Sequence, residues 1–289
     1  MVPGRAFAQA STRSRAAKPL PPHAEFVIRG ATVLTLDTKL GDFERGDVHV
    51  RNGTIVAVAP TLAASGAAAI DGRGMICMPG FIDTHWHLWT TVCRPLIRID
   101  DPKRGYFPVT GALGPHFTPE DAYRSVRLGL AEALSAGATT VHNWAHNVRT
   151  PAHADAELRA MRDCGMRGRF SYGQAQGMPD HEPMNYDDVA KLKREWMPND
   201  GMLTLGMCSR NFGPSQTALR GTISLDMARK DWGGARALGL PITLHTSGPS
   251  PIKALDEAKL LGPDVQLVHP LLTSAEDREI LRQRGVSYS

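Results

Sequence analysis

The chain has 289 residues, 42% of them hydrophobic and 21% charged, with a net charge of +4 and a pI of about 9.0. That is enough apolar material for one large domain or two small ones, and it excludes the disordered and collagen-like classes. No apolar run approaches the ~18 residues of a membrane span, and much of the positive excess sits at Arg5, Arg13, Arg15 and Lys18, so nothing points to a nucleic-acid or membrane partner.

Residues 1–24, MVPGRAFAQASTRSRAAKPLPPHA, are rich in Ala, Pro, Arg and Ser and are predicted to be disordered. Within them Ala6-Phe7-Ala8-Gln9-Ala10 is similar to the cleavage region of an export signal, without the apolar stretch that should precede it. The expected location is therefore cytoplasmic, with export as the alternative if this tail is a signal remnant. Residues 25–74 read as a small β-rich lobe: FVIRGATVLTLD and DVHVRNGTIVAVAP alternate apolar and polar positions, and Asn52-Gly53 is a hairpin signal. The four cysteines, Cys77, Cys93, Cys164 and Cys208, have no CxxC spacing and lie in or beside apolar segments, so buried thiols are expected.

From residue 75 onward the pattern is helix, glycine, short apolar strand, repeated. Met75 to Ile82 reads as the first strand. Thr118-Pro119-Glu120-Asp121 opens a helix with an N-cap and Pro at its first position, Tyr123, Val126, Leu130 and Leu134 form its stripe, and Gly137 stops it before the strand Ala138–Val141. Further helices are predicted from Thr150-Pro151, over 185–197, 224–238, 251–261 and 273–284. The strands that follow them hold Phe170, Leu203-Thr204-Leu205, Ile242–His245, Val265–His269 and Val286–Ser289. This is the signature of βαβ units in a parallel sheet, with six strands and the opening of a seventh. No glycine fingerprint for a dinucleotide appears in a strand-to-helix context. The predicted fold is thus a (β/α)8 TIM-like barrel, incomplete at about six and a half units over residues 75–289, preceded by a small β-sandwich lobe.

Barrels carry their chemistry at the C-terminal ends of the strands. His85 and His87 close the first strand, and residues two apart on a strand share a face, so both rings and Asp83 point the same way. Alone, this pair is as readily incidental as metal-binding. His146 follows the second strand, His245 closes the fifth and His269 the sixth, and their convergence at one rim favours a metal site. Trp89 shares the parity of the pair, and Trp144, His146 and Phe212 follow strand ends; an aromatic pocket for a flat ligand and plain core packing both fit them. Trp86 faces the other way and reads as packing, Asp83 as a residue that orients a ligand or binds backbone, His142 and His153 as structural or exposed, and His49 as an ordinary surface residue.

PGFIDTHWH, LPITLHTSG and VQLVHPLLTS resemble the amidohydrolase superfamily, in particular its cytosine-deaminase and chlorohydrolase-like branch, from about Phe26 to the last residue. The resemblance implies a distorted barrel joined to a β-sandwich, with one catalytic divalent metal, zinc first and iron second. It makes His85, His87 and His245 the metal ligands and His269 the histidine that contacts the substrate or the reacting water. Zinc held by three imidazoles lowers the pKa of bound water from 15.7 to about 7 and so supplies a nucleophile at neutral pH. Binuclear relatives carry a lysine on strand 4; the run 202–210 has none, which favours a single metal.

Two departures qualify the resemblance. The strand-8 aspartate of the superfamily has no counterpart, since the chain ends as strand 7 begins, and about the last third of a parent protein is expected to be missing. Gly248 stands where deaminases of the branch carry a glutamate three residues after the strand-5 histidine. The expected activity is hydrolysis of a non-peptide C–N bond of a small cyclic or aromatic molecule. Deamination or dechlorination of an N-heterocycle is the alternative, and an inactive fragment of such an enzyme the third reading. The expected partner is a small-molecule substrate, with a homo-oligomer left open.

Overall fold

The computed structural model describes residues 25–175, 181–197, 201–212, 222–246 and 250–289. The expectations for residues 1–24 and for Gly248 lie outside them. The chain divides after Pro79 into two compact units.

The first unit is a five-stranded sheet of β1 (Phe26–Val33), β2 (Phe43–Arg51), β3 (Thr54–Ala59), β4 (Ala68–Asp71) and β5 (Ile76–Cys77), ordered β3-β2-β1-β4 with β5 also paired to β1. Asn52 and Gly53 take φ of 50° and 75° between β2 and β3, the left-handed pair that a tight hairpin needs. Ala31, Val33 and Val48 form its small core. His49, expected at the surface, is buried in β2 with its Nε2 2.8 Å from Glu25 Oε1. The alternation of DVHV is interrupted there, because Asp47, Val48 and His49 are all buried.

The second unit is a curled parallel sheet wrapped by helices. Its strands are β6 (Phe81–Trp86), β7 (Ala138–Val148), β8 (Arg167–Gln174), β9 (Leu203–Cys208), β12 (Ile242–His245), β13 (Val265–Val268) and β14 (Ser287–Tyr288), paired in that order. A separate two-stranded pair, β10 (Asn211–Phe212) and β11 (Thr222–Ile223), lies between β9 and β12 in the chain. The helices are α1 (Tyr106–Leu113), α2 (Pro119–Ser135), α3 (Pro151–Asp163), α4 (Tyr186–Trp196), α5 (Leu225–Ala237), α6 (Ile252–Glu257) and α7 (Ala275–Arg284). This is the barrel-like α/β fold expected, as far as a two-residue seventh strand.

Local chemistry sets most helix starts. Thr118 and Asp121 form a reciprocal capping box before α2, Ser274 and Asp277 do the same before α7, and the side chains of Asn185 and Ser224 accept from Asp188 N and Met227 N. Gly285 ends α7 at φ 67°, a conformation that costs little only without a Cβ. The stripe of α2 is displaced from the one predicted. Leu134 is exposed, and the buried face runs through Ala122, Val126, Gly129, Leu130 and Ala133. Gly129 is the reason: a Cβ there would stand 2.6 Å from Thr91 Oγ1 and 2.7 Å from Leu88 Cδ2, so this face lies hard against the segment after β6.

Other expectations need correction. Met75 to Ile82 is not one strand: β5 pairs with β1, β6 pairs with β7, and Pro79-Gly80 separates them. The strand after α2 runs on from Val141 to Val148 and so carries Trp144 and His146 within β7. The helix predicted over 251–261 is only Ile252–Glu257, because Lys259 adopts φ 57° and turns the chain back. The 3-10 helix Leu88–Leu96, with Pro95 inside it, and α1 were not foreseen. Among the described residues all four cysteines are free, with Cys93 and Cys208 buried, and no helix is long and apolar enough to cross a membrane.

Candidate metal centre

His85 lies within β6 and His87 just after it, while His245 ends β12. In a flat sheet β6 and β12 would be four spacings, about 19 Å, apart. The curl brings them together: His245 Nε2 is 3.2 Å from His85 Nε2, which is 3.1 Å from His87 Nε2. His269 follows β13 and is exposed, with its ring centroid 5.1 Å from that of His85 and 5.7 Å from that of His245. One ligand atom from each of His85, His245 and His269 lies within 4.8 Å of the others. His269 has φ 55°, a left-handed backbone in a residue that carries a Cβ, directly before Pro270.

The donor set fits a divalent cation. Tetrahedral zinc with bonds of about 2.0–2.1 Å separates its nitrogen ligands by roughly 3.3–3.4 Å, and the observed separations fall just short of that. Burial holds the imidazoles neutral, as ligation requires. It pushes His85 down to about 3 and His245 to about 2, with neighbouring histidines adding to both shifts, and His87 well below its usual value. Among the described residues the buried Nδ1 of His85 has no hydrogen-bond partner, while the Trp144 backbone lies close enough to His87 to offset part of the effect of its burial. Their Nε2 atoms, turned toward one another, cannot all be satisfied by hydrogen bonds among themselves, whereas one shared cation satisfies all three.

The supporting residues come from three elements. Asp83 Oδ1 accepts the backbone N–H of His85 at 3.0 Å, the backbone-binding role read from its position. Trp144 is 1% exposed and packs its ring against His85, His87 and His245, at centroid distances of 4.8, 5.9 and 4.0 Å. It is a support beneath the three rings and offers no free face to a ligand. With Cys208 and Val268 it forms a small apolar cluster. His142 is structural: its Nδ1 is 3.1 Å from the Thr84 carbonyl and its Nε2 2.7 Å from Ser171 Oγ, which ties β6 to β8. His153 is buried and bonded to Thr150 and Phe117. Trp86 packs against the main core as expected.

On the side of His87 stand His146, at a ring distance of 4.3 Å, and Trp89, whose Nε1–H donates to His146 Nδ1 at 3.2 Å. Burial pushes His146 down to about 4. Tyr106, from α1, has its ring 6.0 Å from that of His87 and was missed, because nothing in the sequence signals that α1 turns back to this rim. Phe212 belongs to β10, apart from the curled sheet.

A profile of the amidohydrolase family matches residues 76–284, and the chain belongs to that family. It is 26% identical over 283 residues to a 5'-deoxyadenosine deaminase of Methanosarcina mazei, covering 92% of this chain and 62% of the relative. It is 27% identical over 287 residues to a 5-methylthioadenosine/S-adenosylhomocysteine deaminase of Pelotomaculum thermopropionicum, covering 91% and 61%. The fold matches the atrazine chlorohydrolase of Arthrobacter aurescens complexed with zinc, at a TM-score of 0.72 and 22% identity over 91% of this chain and 64% of that one. It also matches an adenosine deaminase of Xanthomonas campestris with bound zinc, at 0.69 and 20% over 93% and 63%. The chain thus spans a little over three fifths of the length of these proteins.

Proposed function

We propose that the protein is a hydrolase that uses one divalent cation, zinc first and iron second, to cleave a non-peptide C–N bond of a small cyclic or aromatic molecule. The observation that carries this reading is the convergence of the Nε2 atoms of His85, His87 and His245. A divalent cation held by them would supply a water acidic enough to attack at neutral pH.

The chain's own residues perform the remaining work. Burial keeps the three imidazoles neutral and their lone pairs available. Trp144 fixes the rings from below, and Asp83 fixes the strand that carries two of them. His269, exposed at the rim, polarises the substrate and steadies the charge that develops as water adds to carbon. Trp89 and His146 form a wall that excludes water, and Phe212 is a further substrate contact on the strength of its place soon after β9. Relatives named for deaminating 5'-deoxyadenosine and 5-methylthioadenosine support a nitrogen heterocycle as the substrate.

The test is metal analysis of the full chain, with His85→Ala and His87→Ala beside it. The expected result is close to one equivalent of zinc or iron, lost in both variants together with any release of ammonia. A chain that binds no such metal overturns the reading. Deamination or dechlorination of an N-heterocycle is the second reading, and Gly248, at the position where deaminases of the branch carry glutamate, weighs against simple deamination. Ammonia against chloride release from a panel of nucleobases and triazines separates the two.

A further inference from the structure

Trp89 is held more firmly than a pocket wall requires. Its carbonyl accepts from Ser125 Oγ at 2.7 Å, and Phe117 packs edge-on against its ring at 5.3 Å. Gly114 lies so close that a Cβ there would stand 3.3 Å from Trp89 Cη2, and the Gly114 carbonyl is itself fixed by Asn147 Nδ2 and Arg149 Nε. The indole, 2% exposed, is thereby aimed with its N–H at His146 Nδ1.

An indole nitrogen donates and never accepts, so the acceptor at His146 must be an unprotonated Nδ1. The competing arrangement, an Nδ1–H donating to the Trp144 carbonyl, would span 3.4 Å and leave the buried Trp89 N–H facing another N–H. A buried donor without an acceptor costs more than one long bond returns. The proton of neutral His146 therefore sits on Nε2, across the ring from Trp89. No partner meets that nitrogen among the described residues. His146 itself keeps some accessible surface, unlike Trp144 and Asn147 on the same strand.

We propose that Trp89 locks His146 in the Nε2–H tautomer so that it presents one fixed hydrogen-bond donor beside the metal centre, and that this donor selects substrates with an in-plane lone pair next to the scissile carbon. The proposal rests on the hydrolase reading above and names its substrate class. In an aminated or halogenated nitrogen heterocycle the attacked carbon is flanked by a ring nitrogen, and that nitrogen gains charge as water adds. A pre-aimed neutral donor meets it in a way that a carbocyclic amine cannot reproduce. His146 is the group that touches substrate; Trp89 acts through it as a positioning residue.

The test begins with proton–nitrogen-15 correlation spectra of the full chain carrying labelled histidine, His146 being assigned by its loss in His146→Gln. The expected spectrum has a protonated Nε2 and a bare Nδ1, and Trp89→Phe mixes the two tautomers. A protonated Nδ1 in the parent overturns the proposal, whatever the metal analysis gives. Adenine and aminotriazine as added probes are expected to shift the Nε2 signal, and aniline is not; equal shifts, or none, also overturn it. On a turned-over heterocycle, His146→Leu is expected to lower kcat/KM about tenfold, with metal content unchanged and partial recovery in His146→Gln, whose amide restores a donor. Loss of metal binding in the parent would instead remove the hydrolase reading and leave the tautomer result standing.

Discussion

Asn143 on β7 donates through Nδ2 to Glu157 Oε2 on α3 at 2.8 Å, and both residues have no exposed surface. Among the described residues neither Asn143 Oδ1 nor Glu157 Oε1 has a hydrogen-bond partner. Burial raises the Glu157 carboxyl to about 7, against the lowering effect of Asn143. Its folded value thus lies above the unfolded one, so its contribution to stability is complete below about 4.5 and is lost as pH rises through about 7. A shift of that size corresponds to about 3 kcal/mol. Thermal melts of Glu157→Gln and the parent at pH 5 and pH 8 should show the variant gaining relative stability at the higher pH. A difference between the two proteins that is the same at both pH values would contradict this.

Metal should stabilise the second unit through the three histidines. At about 100 times its dissociation constant, a ligand that binds only the folded state adds about 2.7 kcal/mol. Zinc at that ratio should raise the unfolding midpoint of the parent and leave His245→Ala unmoved. Calorimetry with and without a chelator reads this directly, and an equal response in both proteins would exclude these ligands.

A buried ion pair secures the chain after β9. Arg210 donates to Asp231 Oδ2 through Nε and Nη2 at 2.9 and 2.7 Å, while Asp231 Oδ1 accepts Met184 N at 3.0 Å, and Asp231 is fully buried. Removing one charge strands the other, at a cost of about 3–5 kcal/mol. Urea unfolding of Asp231→Ala should show a loss of that order, and replacing both residues by apolar ones should cost less than the single change.

Gly80, directly before β6, has no room for a side chain: a Cβ would stand 2.2–2.7 Å from the side-chain atoms of Thr139 on β7. Gly80→Ala should therefore lose about 1–3 kcal/mol through overpacking and should also weaken zinc binding, because β6 carries His85 and leads into His87. Thr139→Gly in the same chain should recover most of both losses, as read by urea midpoints and metal competition.

The parallel sheet and the histidines at its rim were legible because each βαβ unit repeats a capped helix, a glycine and an apolar strand, and because a strand end is a fixed address in such a barrel. Leu88 to Leu113 was not legible. Its 3-10 turns follow no apolar period, Pro95 interrupts them, and their conformation depends on Gly129 and Gly114 admitting Leu88 and Trp89. Trp144 was expected after the end of a strand and instead lies within β7, and its role was not readable. Parity assigns a residue to a face, while only packing shows that three imidazoles already cover the indole.

The left-handed backbone of His269 separates what selection for stability would choose from what chemistry requires. A residue with a Cβ held at φ 55° forgoes roughly 1–2 kcal/mol. A library randomised at this position and sorted only for resistance to heat or protease should drift to glycine and asparagine, whereas one sorted for turnover should return histidine and accept the loss.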